Sequence, residues 1–257
     1  DVTTEFLSRS IREGLFDENS FRDIYSFARL GECEPALGNY MEAEDCFQIA
    51  DSLLSKMDGV DDIRAVVLNR RATNLTKTGN LGVAESCLTA AFERDEESVV
   101  NLVMTANNRY AMITDENPEE AYGLYSYLIS YLEENGYISS NLYATVNSNL
   151  AYSCLLLGNT DEGIRHIENA VSIMSGKSAS TEINGFISKQ TRILLYAQKG
   201  DLKKVEQYSG ELSKELRIQL RDVFPLLTER QRTDFWNQVS VWYSFTLPFL
   251  AMEFKTE

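Results

Sequence analysis

The chain holds a single histidine, His166, in 257 residues. It shows no Cys/His pair close in sequence, no phosphate-cradling glycine loop, no zinc-ligand spacing and no nucleophile elbow. A di-metal bundle site would want Glu-x-x-His, and "HIEN" (166–169) gives the reverse order once. The four cysteines, Cys33, Cys46, Cys87 and Cys154, are scattered without metal-like spacing and demand no oxidising compartment. This favours the cytoplasm, although a start at Asp1 leaves room for a removed upstream segment. Basic residues are scarce: 24 Lys and Arg stand against 39 Asp and Glu, for a net charge of −15. Such a surface repels phosphate backbones and anionic lipid, which argues against nucleic acid and membrane as partners. Strand signals are few, because β-branched clusters such as "RAVVL" (64–68) fall within helical periodicity. The acidic runs 93–98 and 115–120 read as solvated loops and helix starts. "NLT" (74–76) matches a glycosylation acceptor but falls inside a predicted helix.

What is present is a rhythm. After Gly38 come Tyr40 at +2, Ala43 at +5, Phe47 at +9 and Ala50 at +12. The same offsets follow Gly79 (Leu81, Ala84, Leu88, Ala91) and Gly158 (Thr160, Gly163, Ile167, Ala170). They return more weakly after Gly200, and in a cryptic copy counted from Glu116 (Pro118, Ala121, Tyr125, Leu128). A period near 40 residues means stacked supersecondary units. Offsets +5, +9 and +12 share one helical face. A small residue at +5 lets that helix approach its predecessor, and the larger residue at +9 fills the groove beside it. The glycine suits the left-handed residue that ends a helix. In the cryptic copy, Asn117 is the expected N-cap, with Pro118 at the first helical position. Cys46, Cys87 and His166 share offset +8 and read as packing residues. An all-α chain of about twelve helices follows: a right-handed superhelical solenoid of stacked helix-turn-helix repeats.

These residues resemble the tetratricopeptide repeat, whose pattern joins a Leu-Gly pair in one helix to Ala and Phe in the next. Residues 27–50 carry it best, with Leu30, Gly31, Tyr40, Ala43, Phe47 and Ala50; residues 150–170 come next. The expected organisation is an N-terminal helix or partial repeat over 1–19, about five repeats over 20–214, and capping helices over 215–257. "SIMSGKSASTEING" (172–185) is the expected linker. The resemblance implies a concave face formed by the first helix of each pair. Counting back 13, 10 and 6 residues from each turn gives its lining: Tyr25, Ala28 and Glu32; Val66, Asn69 and Thr73; Val103, Ala106 and Tyr110; Thr145, Ser148 and Tyr152; Ile187, Gln190 and Leu194. No lysine or arginine falls on these positions, so the family's clamp for a terminal carboxylate is missing. Asn69 and Gln190 suit a peptide backbone, since an amide both donates and accepts. Tyr25, Tyr110 and Tyr152 offer flat contact area, and Thr73 and Ser148 complete the candidate groove.

The C-terminal segment departs from the repeat. Thr228 to Gln231 forms a capping box. Between Asp234 and Glu253 lie 18 uncharged residues, a length worth testing as a membrane span. Asn237, Gln238 and Pro248 interrupt it, and basic flanks are scarce. A packed helix is the expectation, with Phe235, Trp236, Trp242, Phe245 and Phe249 on more than one face. One face caps the last repeat and the rest seeks a partner, a second copy included. Leu227, Thr228, Glu229, Arg232, Phe235 and Trp236 also resemble the run that leads into the caspase-like CHAT domain of bacterial tetratricopeptide proteins. That would make this chain the repeat region of a longer protein. No catalytic residue carries over, because no His follows His166 and no Cys follows Cys154. The expectation is therefore a non-enzymatic scaffold without cofactor or metal. It binds a peptide or protein in the groove, beside a C-terminal effector domain. The alternatives are a module that dimerises through the aromatic helix and a sensor of a small signalling peptide.

Overall fold

The computed structural model describes residues 21–34, 39–93, 98–175, 183–248 and 250. Among them are eleven α-helices and no strand. The chain divides into two compact units, 1–112 and 113–257. The first holds α1 (Phe21–Cys33), α2 (Tyr40–Leu54), α3 (Asp61–Lys77), α4 (Leu81–Phe92) and nearly all of α5 (Val99–Ile113). The second holds α6 (Pro118–Glu134), α7 (Asn141–Leu157), α8 (Thr160–Ser175), α9 (Ile183–Lys199), α10 (Leu202–Asp222) and α11 (Glu229–Val241). Consecutive helices pack together: α1 on α2, α2 on α3 and α3 on α4 in the first unit, and α6 through α10 in the same manner in the second.

The repeat arithmetic sets the helix starts. Each second helix (α2, α4, α6, α8, α10) begins two residues beyond its anchor. The +5 positions Ala43, Ala84 and Ala121 are fully buried, as are Ala50 and Ala170 at +12. At +9, Phe47, Leu88, Tyr125 and Ile167 fill the core. A side chain on Gly163 would meet Leu195 Cδ2 at 2.7 Å and Cys154 Cβ at 3.0 Å, so contact across these helices needs the bare backbone. Gly31, from the Leu-Gly pair, plays the same part in the first unit, where an added Cβ would meet the Phe47 ring at 2.9 Å.

The turns follow the same local chemistry. Gly158 ends α7 at φ 75°, with Asn159 N–H donating to the Cys154 carbonyl at 2.9 Å and Gly158 N–H to Leu155 at 3.3 Å. This is a Schellman closure, which needs a residue free to be left-handed. Asn117 caps α6 by accepting from Glu120 N–H, with Pro118 in the first turn. Thr228 and Gln231 form the capping box of α11. The linker is shorter than expected: α8 runs to Ser175 and α9 starts at Ile183, while 176–182 lie outside the described residues. Gly38 and residues 1–19 also lie outside them.

The second unit is closed by its last helix. Val239, Trp242 and Leu250 join Ile193, Tyr196, Val205, Leu212 and Leu216 in one core. Beyond α11 the backbone takes a π turn over Trp242–Thr246, with Leu247 N–H donating to the Trp242 carbonyl. Pro248 follows; it has no N–H, and its ring crowds the carbonyl four residues back, which a wider turn relieves. No helix among the described residues is long and apolar enough to cross a membrane.

Candidate binding surface

In the first unit the candidate groove positions divide by environment. Tyr25 is 50% exposed, whereas Asn69 is fully buried. Asn69 Nδ2 donates to Thr105 Oγ1 on α5, and Thr105 donates to the Asn101 carbonyl at 2.8 Å. The amide expected to read a peptide backbone therefore spends its donor on joining α3 to α5. Thr73 turns its hydroxyl back to the Asn69 carbonyl at 3.1 Å. Tyr110 is half-buried. Cations flank the lining without occupying it: Glu32 is paired with Arg29 and lies 3.7 Å from Arg70.

In the second unit Ser148 and Ser188 share a buried 2.7 Å hydrogen bond between α7 and α9. Tyr152 donates to Asp115 Oδ1 at 2.8 Å; burial first, then this carboxylate, pushes its phenol up to about 12. Gln190 is half-buried. Ile187 is 48% exposed. Beside the serine pair lies a hollow of about 40 Å³ between α7 and α9, closed on one side by Met174 of α8. Three counted positions, Thr145, Ser148 and Ile187, converge on it. Asn149, Met174 and Ser188 also line it, and the offsets did not find them. Ser188 lies 12 residues before its turn glycine and Ser148 lies 10, so one fixed offset cannot catch both.

The C-terminal aromatics also separate. Trp242 is fully buried and its Nε1 donates to Ser213 Oγ at 3.4 Å, so it is not available as an outward contact. Phe235 packs at a tilt on Phe224, with ring centroids 5.7 Å apart. Trp236 remains 47% exposed. The side chains of Phe245 and Phe249 lie outside what is described.

Groups with reactive potential are held in packing. The Cys46 and Cys154 thiols are pushed up to about 12, mainly by burial, which removes thiolate character. Among the described residues no cluster of His, Cys, Asp and Glu could hold a metal ion. His166 Nδ1 lies 2.8 Å from Asn147 Oδ1, while Asn147 Nδ2 donates to the Tyr143 carbonyl. The Asn147 oxygen must therefore accept, so Nδ1 carries the proton and Nε2 is left facing Arg165 at 3.2 Å. Burial, then the Arg165 charge, lowers the histidine pKa against the weaker opposing pull of Glu162 and Glu133. A base depressed in the fold binds fewer protons there than when unfolded. Its contribution to stability is complete above the ordinary histidine pKa of about 6.5 and is lost as pH falls through the lowered one. Denaturant titrations at pH 7.5 and 5.0 should show wild type losing more stability on acidification than His166→Gln. Parallel losses would overturn this assignment.

No family model matches this chain, and no curated protein matches its sequence. Solved structures do. BtubC (BKLC) from P. vanneervenii superposes with a TM-score of 0.62 at 16% identity, over 86% of this chain and 89% of that one. The apo form of RapI gives 0.61 at 16% identity, covering 86% and 84%. A putative kinesin light chain from Podospora anserina with nearly identical TPR-like repeats gives 0.57 at 12% identity, covering 77% and 96%. The likeness is one of fold: the chain is an all-α protein of TPR-like helical repeats.

Proposed function

We propose that this chain is a non-catalytic scaffold that binds a peptide or protein segment on first helices of its repeats, in the second unit on α7 and α9. The observation that carries the reading is the α7–α9 face. It presents a half-exposed Ile187 and a small polar hollow, built on a serine pair that is already satisfied. Open apolar contact beside the half-buried Gln190 amide, three residues along the same helix, suits an extended chain, whose backbone needs partners and whose side chains need pockets. The fixed neutral imidazole and the buried thiols support a non-enzymatic reading.

A C-terminal CHAT-like effector belongs to the same proposal and rests on the run Leu227–Trp236. Part of that run already has local work: Thr228 caps α11, and Arg232 donates to the carbonyls of Phe224 and Pro225 at 3.1 and 2.7 Å. Self-association through the last helix is a second reading, favoured by the exposure of Trp236. Light scattering on Trp236→Lys tests it better than truncation, which would also strip Trp242 from the core.

A phage-displayed library of random peptides, selected on the full chain, tests the scaffold. Selected peptides should lose at least about tenfold in affinity, ~1.4 kcal/mol, on Ile187→Arg and retain it on Tyr127→Arg, an exposed residue of α6. Equal loss from both, or no peptide enriched over unselected phage, would sink the reading.

A further inference from the structure

The α7–α9 hollow is small and its lining carries no charge. Thr145, Ser148 and Asn149 line it from α7, Met174 from the end of α8, and Ile187 and Ser188 from α9. At about 40 Å³ the hollow is a few water volumes in size, so it matches a short side chain. Alanine, serine, threonine and valine match that volume better than leucine or an aromatic ring. None of the lining residues is charged, so a carboxylate or ammonium entering it would lose hydration without a counter-charge. The hydroxyls offer acceptor lone pairs. Ser188 Oγ points to Met174 Sδ at 3.9 Å, and Thr145 Oγ1 donates to the Asn141 carbonyl at 3.0 Å. Either serine can donate in the 2.7 Å pair, and a hydroxyl oxygen has a second lone pair that can take a guest hydroxyl. Met174 and Ile187 supply apolar contact for a guest methyl.

We propose that this hollow is a one-residue specificity subsite that admits a small, uncharged side chain from an extended peptide crossing α7 and α9. The assignment rests on the scaffold reading above and adds to it which side chain is selected. It also predicts how the preference moves when the hollow changes size. Met174→Ala enlarges it without removing a hydroxyl. Thr145→Ile fills it from a half-exposed position.

The test uses peptides selected on the full chain, each position then replaced in turn by alanine, valine, leucine, lysine and glutamate. One position should tolerate alanine and valine and lose at least about tenfold with leucine, lysine or glutamate. Met174→Ala should restore leucine at that position, and Thr145→Ile should turn valine from tolerated to rejected. Thermal melts matching wild type show that each variant is folded. If the peptides depend on Ile187 but no position is so restricted, or the restriction ignores both variants, the subsite is refuted and the scaffold stands. If no peptide depends on Ile187, both fall.

Discussion

Replacing Trp242 with alanine is expected to destabilise the chain by about 3–5 kcal/mol, the range for truncating a large buried aromatic. The indole is fully buried in a core that joins α9, α10 and the C-terminal segment. Alanine would leave a cavity there and strip Ser213 of its indole donor. Stacked repeats draw stability from nearest neighbours, so the loss should be local. Hydrogen exchange should show α9 and α10 opening sooner while α6 and α7 keep their protection, with a fall in melting temperature of about 10 °C. Exposed Trp236, on the same segment, provides the control: its alanine variant should stay within about 0.5 kcal/mol of wild type. Equal effects from the two tryptophans would refute the assignment of Trp242 as the closing residue.

Gly163→Val should cost about 3 kcal/mol, against the usual expectation that removing a helical glycine stabilises. Alanine in place of a mid-helix glycine normally gains about 1 kcal/mol. Here any Cβ runs into Leu195 Cδ2 at 2.7 Å and Cys154 Cβ at 3.0 Å, and both residues are fully buried. The leucine methyl can rotate away at a cost, but the cysteine Cβ is fixed to its backbone. Gly163→Ala should therefore be destabilising by about 1–2 kcal/mol. Its combination with Leu195→Ala should be less harmful than the two single losses summed, with a coupling of about 1–2 kcal/mol read from denaturant midpoints. Strict additivity, or a more stable Gly163→Ala, would show that α8 does not need its bare backbone.

The architecture was legible in the sequence because it is written in short-range chemistry. Helix starts two residues past each anchor, the glycine closures and the caps at Asn117 and Thr228 depend on contacts within about a dozen residues, and the small residues at +5 recur with the repeat. The candidate surface was only partly legible. Offsets from the turns put Thr145, Ser148 and Ile187 on one hollow, but they also selected Asn69, whose side chain lies in a helix–helix seam. A residue on the first-helix face can look outward or across to the next first helix. The choice depends on a partner 36 or 40 residues away, as Thr105 is from Asn69 and Ser188 from Ser148. The C-terminal aromatics show the same limit, since periodicity marks Trp236 and Trp242 as alike and packing buries only the second.

The residue pattern alone determined an all-helical repeat chain with closely approaching small residues, capped turns and a surplus of negative charge, because each of these is a local or additive property. Tertiary structure decided the division into two units, the commitment of Asn69, Ser148 and Tyr152 to partners within the chain, the burial of Trp242, and the hollow that Met174 and Ser188 complete. These follow from the register of helices distant in sequence, which is fixed only when their side chains interlock.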